Sequence, residues 1–355
     1  MIGATRRGQR KAWAVDWLIF LSGTSVSWAA SWRFALRARF QLSTRYKLMH
    51  IPDGFVDVKT AIAASALAVV GLGYALNQVR RELPARRVPL LGLGAAFVFA
   101  AQMVNFPVIG GTSGHLVGGA LIAALLGAPA AVVVISTVLI AQCFLFADGG
   151  VTALGVNIFN MAVVAPVVGA GVYKGVCRLL SGRRGQVAAV AFAGWCSTVA
   201  ASLACAGQLA WSGTVGWAVA FPVMTGVHML IGIGEGAISA LVFYAVVKAR
   251  PELVNNTQAL PTRSFVGYGL LVVVGVALFV APFACPWPDG LESVAAKLGF
   301  EQAAKQSTIS PMKDFGVATP LAGVVGALVA FGLAVFLSRL LVKNELTSTK
   351  TNAAT

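Results

Sequence analysis

The chain has 355 residues, of which 58% are hydrophobic and only 11% are Asp, Glu, Lys or Arg, and its mean hydropathy is +0.81. A water-soluble fold, in which about a quarter of the residues carry charge, is excluded. The 27 Lys and Arg against 12 Asp and Glu lie in short clusters between apolar stretches, which is the positive-inside pattern of a polytopic membrane protein and not the basic face of a nucleic-acid binder.

Residues 1–48 carry nine basic residues and one acid, Asp16. Beyond them, stretches long enough or nearly long enough to cross a bilayer, about 20 apolar residues, fall at 58–79, 88–107, 115–128, 129–147, 152–175, 186–209, 217–247, 265–284 and 319–341. The fold class expected is therefore an all-α polytopic membrane protein. The 115–128 stretch is short and rich in Gly and Ala, which predicts a partial span packed between others.

Arg80, Arg81, Arg86 and Arg87 follow the first span, Lys174, Arg178, Arg183 and Arg184 the fifth, Lys248, Arg250 and Arg263 the seventh, and Arg339 and Lys343 the ninth. The connections near 108–114, 148–151 and 210–216 contain no Lys or Arg. The basic ends are expected in the cytoplasm and the other ends outside. A further span at 12–32 would then leave Arg33, Arg37, Arg39, Arg45 and Lys47 on the wrong side. The segment 1–48 is thus expected to be removed or never made; with no small-x-small cleavage site ahead of Met49, translation starting at Met49 is favoured.

A histidine directly after an initiator methionine offers a chelate found only at a free chain end. The α-amine of Met49 and the amide and imidazole nitrogens of His50 can hold one ion through fused small rings. Planar nitrogen coordination suits Ni(II), Cu(II) and low-spin Co(II) better than Zn(II) or Mg(II). His115 follows a Gly-Gly-Thr-Ser-Gly turn, where glycines permit irregular backbone lining a cavity; Thr112 and Ser113 read as helix N-caps.

His228 and Glu235, seven residues apart, share one helix face at membrane depth. The cost of a buried carboxylate predicts that Glu235 faces the interior with a partner or a proton. The two residues either support the site and its coupling or merely clamp helices together. Asn157, Asn160 and Asn105, with Gln102, either orient His115 or bridge helices.

Residues 284–318 form the long connection between the last two spans. There Asp289 can cap a helix with Glu292 at its third position, and Leu291, Val294, Ala295 and Leu298 fall on one face. Residues 346–355 form a polar tail. Cys143, Cys177, Cys196, Cys205 and Cys285 have no CxxC spacing, which argues against a disulfide framework or a thiolate zinc site. No GxxxxGK[ST] occurs, so the chain holds no phosphate loop for ATP; GIGEG at 232–236 lies inside an apolar helix and does not follow a strand, which excludes a dinucleotide reading.

MHIPDGF at 49–55, NFPVIGGTSGHLVGGAL at 105–121, NIFNMA at 157–162 and HMLIGIGEG at 228–236 resemble the CbiM/NikM family, the substrate-specific membrane components of energy-coupling-factor cobalt and nickel importers. PDGLE at 288–292 resembles a small accessory domain sometimes fused behind them. The resemblance implies a substrate-binding bundle of about seven helices over 49–255, then two further spans flanking a small extracytoplasmic segment over 256–345. It implies metal ligands at Met49, His50 and His115, with Asn105, Asn157, Asn160, His228 and Glu235 behind them, and transported Co2+ or Ni2+ in place of a resident cofactor. The implied partners are a membrane coupling subunit and two ATPase subunits, met through the Arg-rich cytoplasmic loops, in a bacterial inner membrane; no enzymatic activity resides in the chain itself. Gly111-Thr112-Ser113-Gly114 also resembles the GxSG pattern of rhomboid-type intramembrane serine proteases, with Ser113 as nucleophile and His228 as base.

Overall fold

The computed structural model describes residues 49–255, 263–305 and 320–342. The extension 1–48, the polar tail 346–355, and the residues either side of 263–305 lie outside them. Seven of the described helices are long and apolar enough to cross a membrane.

Helix α1 (Val58–Glu82) starts at Asp57, whose side chain accepts from the Thr60 amide at 2.9 Å, and ends with Arg80 and Arg81 in its last turn, where cations suit the helix dipole. Its 25 residues rise about 37 Å, so Arg80–Arg87 lie at the far end of the bundle from Asp57. Ile62, Val69, Val70 and Tyr74 are exposed along it and face lipid.

Helix α2 (Val88–Gln102) stops five residues short of the expected span. NFPVIGGTSG instead makes a hairpin: β1 (Phe106–Val108) pairs antiparallel with β2 (Thr112–Gly114), Pro107 opposite Ser113. Gly110 and Gly111 turn it at φ +93° and +76°, values that glycine adopts at little cost. Thr112 and Ser113 are strand residues, not N-caps. The cap of α3 (Gly119–Leu126) is Gly118, at φ +78°. At eight residues, about 12 Å, α3 cannot cross a bilayer, in line with the partial span expected.

Gly127 alone separates α3 from α4 (Ala128–Phe146), which ends as Ala147 takes φ +56°. Helix α5 (Leu154–Leu179) widens to π geometry over Ile158–Val164 just before Pro166, whose missing N–H disturbs the regular ladder. Helices α6 (Gly182–Trp211) and α7 (Trp217–Ala249) lie nearly backbone to backbone. A Cβ on Gly236 would come within 2.4 Å of the Ala191 carbonyl oxygen, so the glycines of GIGEG serve close packing.

The C-terminal part adds α8 (Arg263–Phe283), α9 (Gly290–Leu298) and α10 (Pro320–Leu341). Helix α10 lies on α2, where Gly326 faces Phe99 and Gly92 faces Val335. One core cluster around Leu91, Phe99, Ile135 and Leu139 fills the bundle. A second, of Ile51, Phe55, Leu209 and Met224 with Leu291, Val294 and Phe300, sits at the Asp57 end.

Candidate functional site

The segment MHIPDGF is drawn into the bundle by its backbone. Asn157 both donates to the Ile51 carbonyl and accepts from the Ile51 amide, each at 3.0 Å, and Gly150 donates to the same carbonyl at 2.9 Å. The Asp53 carboxylate takes the amides of Val151, Thr152 and Ala153 at 2.8–3.3 Å, capping the start of α5. Gly150 is bare because a Cβ there would sit 2.1 Å from Asp53 Oδ1.

This pinning places two nitrogens on one carboxylate. The Met49 nitrogen donates to Asp148 Oδ1 at 2.9 Å, and His50 Nδ1 lies 3.2 Å from Asp148 Oδ2. The His50 ring meets His115 edge-on, with ring centres 5.8 Å apart and planes at 76°. Both nitrogens of His50, Nδ1 of His115 and Oδ2 of Asp148 are buried with no hydrogen bond, a concentration of unsatisfied groups that calls for a further partner.

His115 is held through the backbone two and three residues further on. Glu235, fully buried, accepts the Val117 amide at 2.7 Å and the Gly118 amide at 3.0 Å; Gln102 donates to the Val117 carbonyl at 3.3 Å and accepts from Gln142 at 2.8 Å. Glu235 thus has the interior partner expected of it, but that partner is main chain and not His228. His228 Nδ1 donates to the Met224 carbonyl at 2.8 Å, leaving Nε2 toward Gly290, so the two residues do not form a mutual clamp. Glu235→Ala is expected to strand two buried amides, at about 1–3 kcal/mol each. Thermal unfolding in detergent should show a midpoint lowered by several degrees, with Glu235→Gln recovering part of the loss.

His50, His115, His228, Asn157, Asn160 and Asp289 line one cavity of about 90 Å³. Asn160 is locked in a reciprocal amide pair with Gln208 at 2.7 and 2.9 Å. Asn105 donates to Ser113 Oγ at 3.1 Å and supports the hairpin instead of His115.

The segment 287–305 packs against this end. Ser113 donates its amide to the Pro288 carbonyl at 2.7 Å and its hydroxyl to the Trp287 carbonyl at 2.8 Å, and Lys305 donates to the Asp53 carbonyl at 2.7 Å. Asp289 and Glu292 form the expected capping box, and Leu291, Val294 and Ala295 are buried as the shared face predicts. Burial pushes the Asp289 carboxyl well above its usual range. The protease reading fails here: Ser113 Oγ is bonded to Trp287, Pro288 and Asn105, and among the described residues it makes no hydrogen bond to His228, so the base needed to activate it is missing.

Three participants are not singled out by the sequence: Asp148, Asp53 and Gln208. The signal for Asp148 was an acid followed by two glycines in a connection without any base.

Among the described residues no three His, Cys, Asp or Glu side chains converge as a metal cage. The comparisons put this multi-pass bundle in the metal-transport class of membrane proteins. Residues 50–253 match the CbiM family, described as the cobalt uptake substrate-specific transmembrane region, and residues 263–343 match the PDGLE domain; the chain belongs to the CbiM family.

It is 35% identical over 298 residues to a protein of Archaeoglobus fulgidus that carries the name fused nickel transport protein NikMN, covering 82% of this chain and 98% of that one. The fused nickel transport protein NikMN of Rhodobacter capsulatus is also 35% identical, covering 64% of this chain and 71% of that one. A crystal structure of a transition metal transporter superposes with a TM-score of 0.53 at 34% identity, over 59% of this chain and 98% of that one.

Proposed function

We propose that the chain is the substrate-binding membrane component of an ATP-driven importer of Co2+ or Ni2+, with Met49, His50 and His115 as the ligands. The observation that carries the reading is that the Met49 nitrogen and His50 Nδ1 meet the same carboxylate, Asp148, while the His50 ring lies against His115. With metal–imidazole bonds of about 2 Å, one ion can hold two ring centres up to roughly 6 Å apart, and 5.8 Å lies within that limit. Four nitrogens in a plane favour nickel and cobalt over zinc.

The relatives' names support this cargo. The chain carries no phosphate-loop motif, so uphill import calls for ATPase partners and a membrane coupling subunit, met at the Arg80–Arg87 and Arg178–Arg184 end. The site end faces outward by the charge rule, in the cytoplasmic membrane of the cell. The reading requires a free amine on Met49 and therefore a mature chain without residues 1–48.

The test is the protein purified from cells carrying the complete coding sequence, its first residue read by mass spectrometry and its unfolding midpoint measured with Ni2+, Co2+, Zn2+ and Mg2+. A rise with nickel or cobalt supports the reading, and no shift with either overturns it. Affinity should also fall with acid. The ligands bind deprotonated, and a terminal amine near 7.7–8.0 takes up a proton as pH drops. Kd by titration calorimetry is expected to rise more than about a hundredfold from pH 8 to pH 5.

A further inference from the structure

The Asp148 carboxylate is 2% exposed, and among the described residues no Lys or Arg forms an ion pair with it. Among the described residues its oxygens meet the Met49 nitrogen and the His50 ring, and Oδ2 accepts no hydrogen bond. A bare buried anion of this kind is costly. The backbone nevertheless works to put it there: Ala147, directly before it, is the one residue other than glycine with positive φ among the described residues, a conformation that costs an L-residue about 1–2 kcal/mol.

We infer that Asp148 is the counter-charge of the transported ion and so sets the charge of the cargo. This rests on the nitrogen ligand set proposed above. A divalent ion bound by the Met49 amine, two neutral imidazoles and the His50 amide, whose proton leaves to water, retains one positive charge. Asp148 brings the loaded site to neutrality. The same balance is missed by a monovalent ion and overshot by a trivalent one, so the residue selects for charge while the nitrogens select for geometry. A carboxylate that served only to hold the Met49 N–H would do as well uncharged.

The experiment exploits that difference. Asp148→Asn keeps the side-chain shape and an oxygen for the Met49 N–H, and removes only the charge; Asp148→Glu keeps the charge. Kd for Ni2+ and for Co2+ is measured in full-gene preparations of the unaltered protein and both variants, alongside the metal-free unfolding midpoint. The Asn variant is expected to bind both ions about a hundredfold more weakly, with the Glu variant recovering to within tenfold of the unaltered protein. An Asn variant that stays within tenfold overturns the inference. If the Asn variant does not fold, Asp148→Glu against Asp148→Gln, matched in bulk, makes the same comparison under the same limits. Unaltered protein that binds neither ion overturns the reading under Proposed function, and this inference with it.

Discussion

His115→Ala is expected to abolish measurable nickel and cobalt binding while leaving the fold nearly untouched. Loss of a residue that merely supports a ligand already costs about 10–100-fold in metal affinity, and loss of a ligand should exceed that. The fold is spared for a reason visible in the site: His115 has no hydrogen bond on Nδ1. Truncating such a ring forfeits packing but strands no partner, so the stability change should stay near the average of about 1 kcal/mol for a substitution. His50→Ala should lose binding in the same way, and because it also removes the ring 3.2 Å from the buried Asp148 Oδ2 it should cost more stability. Titration calorimetry and thermal unfolding on the same preparations separate the two effects. A variant that binds either ion normally removes His115 from the ligand set.

The second large effect concerns the start of the chain. Met49→Leu in the complete gene is expected to eliminate the metal-binding product, because initiation at that codon is lost and any longer product presents an amide in place of an amine. An amide nitrogen shares its lone pair with the carbonyl and ligates only after losing its proton. The expected fall in affinity is again more than about a hundredfold. Mass spectrometry of the mature unaltered protein should find Met49 first. A protein that keeps residues 1–48 and still binds nickel or cobalt refutes the amine ligand directly.

Much of this architecture is legible in the sequence because bilayer spans announce themselves by length and apolarity. The stretches 58–79, 129–147, 217–247 and 319–341 correspond to α1, α4, α7 and α10 within a few residues. The hairpin at 106–114 was not legible. Its apolar residues continue those of α2, and only Pro107 with the paired glycines marked the break. Of the site, His50 and His115 are read from their motifs, and the structure brings their rings together. Asp148 could not be placed, since its contact with Met49 spans 99 residues and depends on how α4 ends. Asn157 was recognised as a buried amide, but its grip on the Ile51 backbone has no local signal. Nor has the bond from Ser113 to Pro288, formed across 175 residues.

That last contact bears on how the assembly is supplied. Trp287–Asp289 and α9 lie against β2 and the cavity as part of the same polypeptide that supplies His50 and His115. A tethered element meets its dock at an effective concentration that short linkers set in the millimolar range, whatever the abundance of the protein in the cell. A cover recruited as a free subunit would have to be matched in expression and would dissociate on dilution. Fusion instead fixes the ratio at one to one and makes coverage of the pocket independent of how many copies the membrane holds.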